Sequence, residues 1–226
     1  MTSVSEIFNL KCGSRSYQIY SYSEEKGVRS HATPREIGDA LYTFLVNAPL
    51  DVTMPAGQNS YVFFLDAGPV KREFLPQNYQ LIYTDQRCSR TFTGWAETVI
   101  RCLCASNRFN GIPAFDQSDV ASVLSEVHQL RVIFLAVTFT TKPELPTTPD
   151  PEGSPRPVFN RLLAVLFSPF EWGGYADRDE ILESCQRLGR HVVGGGAFHP
   201  YDEGLLMLLG DPAKCGGPSD CIKNDS

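Results

Sequence analysis

Apolar positions in the first half of the chain fall into short runs divided by turn residues. Tyr17–Tyr22 reads as a first, Tyr-rich strand. Thr33-Pro34-Arg35-Glu36 then carries the sharpest local signal: Thr33 caps a helix, Pro34 suits its first position and Glu36 closes a capping box. Ile37, Leu41, Phe44, Leu45 and Ala48 follow at helical spacing and Pro49 ends the pattern, which predicts a helix over 34–48. Three strand-like runs come next, Tyr61–Leu65, Val70–Phe74 and Tyr79–Tyr83. Turn signals separate them at Asp66–Pro69 and Pro76–Asn78. Links this tight predict an antiparallel meander, because parallel strands need longer crossovers.

Helical spacing returns over 92–105, with Trp95, Val99 and Cys102 on one face, and over 118–129, with Val120, Val123, Leu124 and Val127 behind a Ser118 cap. Arg131–Phe139 is a long β-rich run that reads as a central strand, and Asn160–Phe167 reads as its antiparallel partner. Between them the six prolines of 140–157 forbid regular structure, so the segment is a hairpin loop or a linker. A last helix is expected over 178–188, boxed by Asp177 and Glu180 and stopped by Gly189. Strands Arg190–Val193 and Gly204–Leu209 flank a glycine run at 194–196. The expected class is α+β, antiparallel sheets with about four helices packed on them. One domain over 1–210 is expected, with a possible two-lobed split near 106–117 and a flexible tail over 211–226.

Composition narrows the function classes. The 226 residues are 42% hydrophobic and 11% aromatic, an ordinary globular balance. With 26 acidic against 20 basic residues the net charge is −6, and the basic residues are scattered, which argues against nucleic acid as a partner. The opening residues lack a basic start and an apolar run, and no apolar stretch approaches a membrane span, so a cytoplasmic location is expected. Seven irregularly spaced cysteines read as free thiols in a reducing compartment.

Candidate chemistry is sparse. Gly194-Gly195-Gly196 offers backbone N–H groups to an anion, but no GK[ST] follows and the run comes after a helix, so a hairpin or bulge competes with a phosphate cradle. His199, Asp202 and Glu203 place acid–base types beside that run, which is also how a solvated turn looks. His31-Ala32-Thr33 matches half of a two-histidine phosphoesterase signature, and none of the three remaining His-containing tripeptides supplies the second half. Cys102-Leu103-Cys104 and Cys215–Cys221 match no zinc spacing. No cofactor fingerprint or metal motif is present, and neither is expected from the sequence. Aromatic loop residues remain as candidate protein contacts: Tyr17, Tyr20 and Tyr22, and Phe170, Trp172 and Tyr175 in the Phe170–Tyr175 turn.

Ser60–Val70 gives a strand, an acidic/glycine turn and a return strand, and Leu81–Thr84 precedes Thr91-Phe92-Thr93-Gly94-Trp95 opening a helix. Over about 34–105 this order resembles the SUKH superfamily of toxin-immunity proteins and viral accessory proteins. The resemblance implies a binding protein without catalytic residues. The sequence reading is therefore a cytosolic, non-enzymatic interaction module, in its specific version a viral accessory protein that docks on and inhibits a host protein. The alternative is a small hydrolase or nucleotide-binding enzyme built on 194–203.

Overall fold

The computed structural model describes residues 11–12, 15–22, 41–50, 52, 61–83, 91–108, 117–124, 128–137, 145, 148–149, 155–156, 158–169, 175–199 and 204–213. The chain runs β1 (Lys11–Cys12), β2 (Arg15–Ser21), β3 (Tyr42–Val46), β4 (Tyr61–Asp66), β5 (Asn78–Ile82), α1 (Phe92–Arg108), α2 (Gln117–Leu124) and β6 (Gln129–Val137). It continues with β7 (Thr148–Pro149), β8 (Pro155–Arg156), β9 (Phe159–Pro169), α3 (Tyr175–Cys185), β10 (Gly189–His199) and β11 (Gly204–Pro212). Nine strands form one sheet in the order β1-β2-β3-β4-β5-β6-β11-β9-β10, and β7 pairs with β8 alone.

The sheet is mixed, and most of it is parallel. β2 through β6 pair in sequence order, all parallel. β11 is antiparallel to both β6 and β9, and β10 is parallel to β9. Hence β2–β6, β9 and β10 point one way and end at one carboxyl end of the sheet. This corrects the expected antiparallel α+β architecture. The described residues contain three helices, not about four.

Three local readings fail with it. The end of the predicted 34–48 helix is strand β3, buried at all five positions; residues 34–40 of that helix lie outside the described ones. A strand covered on both faces is continuously apolar and carries no period of two to betray it. Val70–Phe74 joins no ladder: it belongs to the connection that carries the chain back to start β5 parallel to β4. Asn160–Phe167 does not pair with the 131–139 run, because β11 inserts between β9 and β6. By contrast α1 holds Trp95, Val99 and Cys102 buried, as its spacing predicts, behind Thr91, whose Oγ1 accepts from the Gly94 N–H at 3.2 Å. In α2 the stripe Val120, Val123 and Leu124 is buried as expected, while Val127 lies outside the described residues.

Alternate side chains divide the core. One face of the sheet presents Tyr42, Phe44, Phe63, Leu65, Tyr79, Leu81, Val132, Val165 and Met207 to Trp95, Val99, Ile100, Leu103 and Val120 of α1 and α2. The other face, at the β6-β11-β9 side, presents Ile133, Leu162, Ala164, Leu166 and Leu208 to Ile181, Leu182 and Cys185 of α3. A smaller cluster of Leu45, Ala48, Val62 and Phe64 occupies that second face at β3 and β4. Four tyrosines cross the parallel strands as a row, Tyr17 to Tyr42 at 5.8 Å, Tyr42 to Tyr61 at 5.9 Å and Tyr61 to Tyr79 at 6.2 Å between ring centroids. Among the described residues no helix is long and apolar enough to cross a membrane.

The β4–β5 connection is held by a buried ion pair. Arg72 Nε and Nη2 donate to Asp66 Oδ2 and Oδ1 at 2.9 and 2.6 Å, and its guanidinium also reaches Ala48 O at 2.6 Å and Pro49 O at 3.3 Å. Its Cζ lies 4.5 Å over the Phe64 ring. Gln80 Nε2 donates to Asp66 Oδ2 at 2.7 Å and to Val70 O at 2.8 Å. A planar fork with several donors satisfies the carboxylate and two carbonyls at once, which is what lets the charges stay buried.

Candidate functional site

Parallel strands joined through a helix bring their carboxyl ends, and the helix N-terminus, to one place, and ligands of open α/β sheets bind there. In this chain the unit β9–α3–β10 has that form. β9 and β10 are in register along their whole length, ending with Pro169 beside His199. α3 starts at this end and packs back across the sheet toward the start of β10, with Leu182 against Gly194, where an added Cβ would lie 3.6 Å from Leu182 Cδ2.

The inward stripe of α3 is Arg178, Ile181, Leu182 and Cys185, all buried. Ile181, Leu182 and Cys185 are its ordinary apolar members; Arg178, only 3% exposed, is a cation in the first turn. It sits one turn above Leu182, about 6 Å nearer the carboxyl end, a rise that matches about two strand residues. In the register of this unit Gly196 pairs with Leu166. Ser168 follows Leu166 on the α3 face of β9, is 1% exposed, and its Oγ has no hydrogen-bond partner among the described residues. The end of β9–α3–β10 therefore gathers a buried cation, a buried hydroxyl with spare capacity, and a helix N-terminus.

The sequence-predicted residues fall around this place unevenly. His199 is the last residue of β10. Asp202 and Glu203 lie outside the described residues, between His199, which pairs with Pro169, and Gly204, which opens β11 on the other side of β9. Phe170 and Trp172 also lie outside the described residues, and Tyr175 is the first residue of α3. The topology thus brings the ends of both singled-out stretches, 170–175 and 199–203, to one end of neighbouring strands. Gly194–Gly196 form neither hairpin nor bulge: they lie within β10 and pair with Ala164–Leu166. Their backbone groups on that side serve the ladder. Gly189 likewise opens β10 instead of stopping the helix, which ends at Cys185.

Tyr17, Tyr20 and Tyr22 are on or beside β2, away from this end of the sheet order. Tyr17 is half-buried in the tyrosine row, and its hydroxyl donates to Cys104 O at 3.4 Å. Tyr20 and Tyr22 pack on the Leu45–Phe64 cluster. Burial pushes both phenols above their ordinary range, and the Tyr20 charge adds to the effect at Tyr22. Sequence reasoning passed over Ser168 and Arg178. The one available signal was Arg178 at the i, i+3, i+4, i+7 spacing of Ile181, Leu182 and Cys185, a cation on an otherwise apolar stripe.

Neither a family model nor a curated protein matches the sequence. Among solved structures the chain is similar to CetZ2 from Haloferax volcanii in a GTPγS-bound protofilament, with TM-score 0.49, 12% identity, and 79% of this chain and 67% of that one covered. It is similar to an empty FtsZ dimer from M. jannaschii, with TM-score 0.48, 8% identity, and 76% and 63% covered. A GTPγS-form TubZ protofilament from Bacillus thuringiensis serovar israelensis follows, with TM-score 0.43, 9% identity, and 75% and 60% covered. The chain spans about two thirds or less of these structures' length. No residue role is carried over at this level of likeness. The SUKH resemblance is overturned, because the paired-strand meander that carried it is a set of parallel strands. The reading as a viral accessory protein that inhibits a host protein, drawn from the sparse catalytic motifs, the aromatic residues and the Pro-rich 140–157 segment, is corrected with it.

Proposed function

We propose that the chain binds a small molecule of the nucleotide class at the carboxyl end of β9–α3–β10. The observation that carries this reading is the placement of a buried cation, Arg178, in the first turn of a helix that joins two parallel strands ending side by side. An Arg on an apolar stripe costs desolvation energy, and groups retained at such cost cluster at binding sites. His199 at the end of β10, with Asp202 and Glu203 three and four residues on, supplies the acid–base types through which this site would act on its ligand.

Guanine nucleotides, named for CetZ2 and TubZ, are the first probes. Titration of the protein with a fluorescent GTP or GDP analogue, with ATP as competitor, tests the reading. Saturable binding at micromolar concentration, weakened by substitution at Arg178, supports it. Absence of binding by any nucleotide overturns it. Release of inorganic phosphate, lost in His199→Ala with binding retained, separates an enzyme from a binding module.

A further inference from the structure

We propose that the outer edge of β10 is an interface between two copies of this chain, paired antiparallel about a two-fold axis at Val192. β10 ends the order of the nine-stranded sheet, so among the described residues it pairs on one side alone, with β9. Edge strands are kept from pairing with other chains by shortness, proline, lysine or a bulge. The opposite edge of this sheet follows that rule, since β1 has two residues and one of them is Lys11. β10 does not: it has 11 residues, no proline, no lysine and a continuous register with β9. Its accessible stretch is bounded at both ends. Arg190 and His191 are exposed and Val192, Val193 and Gly194 are half-buried, while Gly189 before them and Gly195 and Gly196 after them are buried.

A two-fold interface uses one patch twice, and the stretch 190–194 is centred on Val192. Run antiparallel against its own copy, it sets Arg190 opposite Gly194, His191 opposite Val193, and Val192 opposite Val192. The charges fit this direction. Val192 and Gly194 face α3, and strand alternation puts Arg190 on the same face. Gly194 has no side chain, which leaves the place opposite Arg190 open. α3 carries the exposed carboxylates Asp179 and Glu183, and the exposed cations Arg187 and Arg190 follow its end. None of these four has an ion-pair partner among the described residues. The two-fold lays both copies of α3 antiparallel on one face of the joined sheet, so the acidic part of each lies toward the basic end of the other. Parallel pairing would set like charges side by side or place the helices on opposite faces, so the charges select the antiparallel pair.

Sedimentation velocity of the full chain, without nucleotide and over about 1–100 μM, reads a reversible monomer–dimer equilibrium. Val192→Cys tests the register, because across the two-fold the Cα atoms of residue 192 lie about 4.5–5.5 Å apart, within disulfide reach. Under oxidised glutathione this variant runs as a cross-linked dimer on a non-reducing gel, while the wild type with its seven native cysteines does not. Arg190→Glu weakens dimerisation by about tenfold, and adding Glu183→Arg to it restores the dimer. A substitution that merely disturbed the fold would not be rescued by a second charge reversal. Should Val192→Cys fold poorly, the charge swap at these exposed positions decides. A chain that stays monomeric at the highest concentration overturns the proposal. So does growth into longer polymers, a dimer that Val192→Cys folds into without cross-linking, or one that Arg190→Glu leaves unchanged.

Discussion

Replacing Arg72 with Met should unfold a large share of this protein's stability. The guanidinium and the Asp66 carboxylate are 4% and 2% exposed, with 2.6 Å between Nη2 and Oδ1. Met restores most of the stem volume, so little packing is lost with the change. What disappears is the counter-charge, leaving a buried carboxylate whose described donor is Gln80 Nε2. Breaking a buried pair by removing one partner costs about 3–5 kcal/mol. The Gln80 bond holds the expected value near the lower end, about 3 kcal/mol, to which the freed Ala48 and Pro49 carbonyls add about 1 kcal/mol. Against a typical total of about 5–15 kcal/mol, that is a large fraction. In urea, with m about 2.5 kcal/mol/M, the midpoint falls by about 1.6 M. The double variant Asp66→Asn with Arg72→Met removes the stranded charge and should recover at least half of the loss, a coupling that a double-mutant cycle reads directly. A loss below about 1 kcal/mol in Arg72→Met, or strict additivity in the double variant, would show that the pair is not what secures the β4–β5 connection.

The glycines give a second, contrasting pair. A Cβ on Gly210 would collide with Arg161 O, a backbone atom of β9, so Gly210→Ala should destabilise by more than about 3 kcal/mol in thermal or chemical unfolding. Gly194→Ala meets Leu182 at ordinary contact distance and should cost less than about 1 kcal/mol. Burial pushes the Cys185 thiol up to about 12 from 9.0. It should therefore resist alkylation at pH 8 until the protein unfolds, which mass spectrometry after iodoacetamide treatment will show. The same shift makes stability complete below pH 9 and eroding from there toward about pH 12, because the unfolded chain ionises this thiol first. Tyr79, raised to about 12 by burial and then by the Tyr61 charge, acts in the same direction from pH 10 upward. A stability curve that is flat from pH 9 to 11 would contradict both.

How far the sequence reaches depends on whether an element shows two environments or one. α1 has a wet face and a dry face, so Trp95, Val99 and Cys102 announce it. β3 is dry on both faces, and Tyr42–Val46 then carries no alternation to set against the helical spacing of Leu41, Phe44, Leu45 and Ala48. β10 disguised itself through Gly194–Gly196, residues that usually break strands and here lie inside one. The parallel order was hidden by an economy of chain: Ala67–Gln77 returns to start β5 without a helix, locked by Arg72, so short links looked like hairpins. At the candidate site, His199 was visible as a residue type. Ser168 and Arg178 were not, because their meaning lies in a juxtaposition of β9 with α3 that only the strand order creates.

Amide hydrogen exchange with and without a saturating guanine nucleotide tests the central claim most directly. Added protection is expected only in the last residues of β9 and β10, the first turn of α3 and the peptides joining them. Unchanged exchange there, or protection placed instead at the amino ends of β9 and β10 around Phe159 and Gly189, would contradict it.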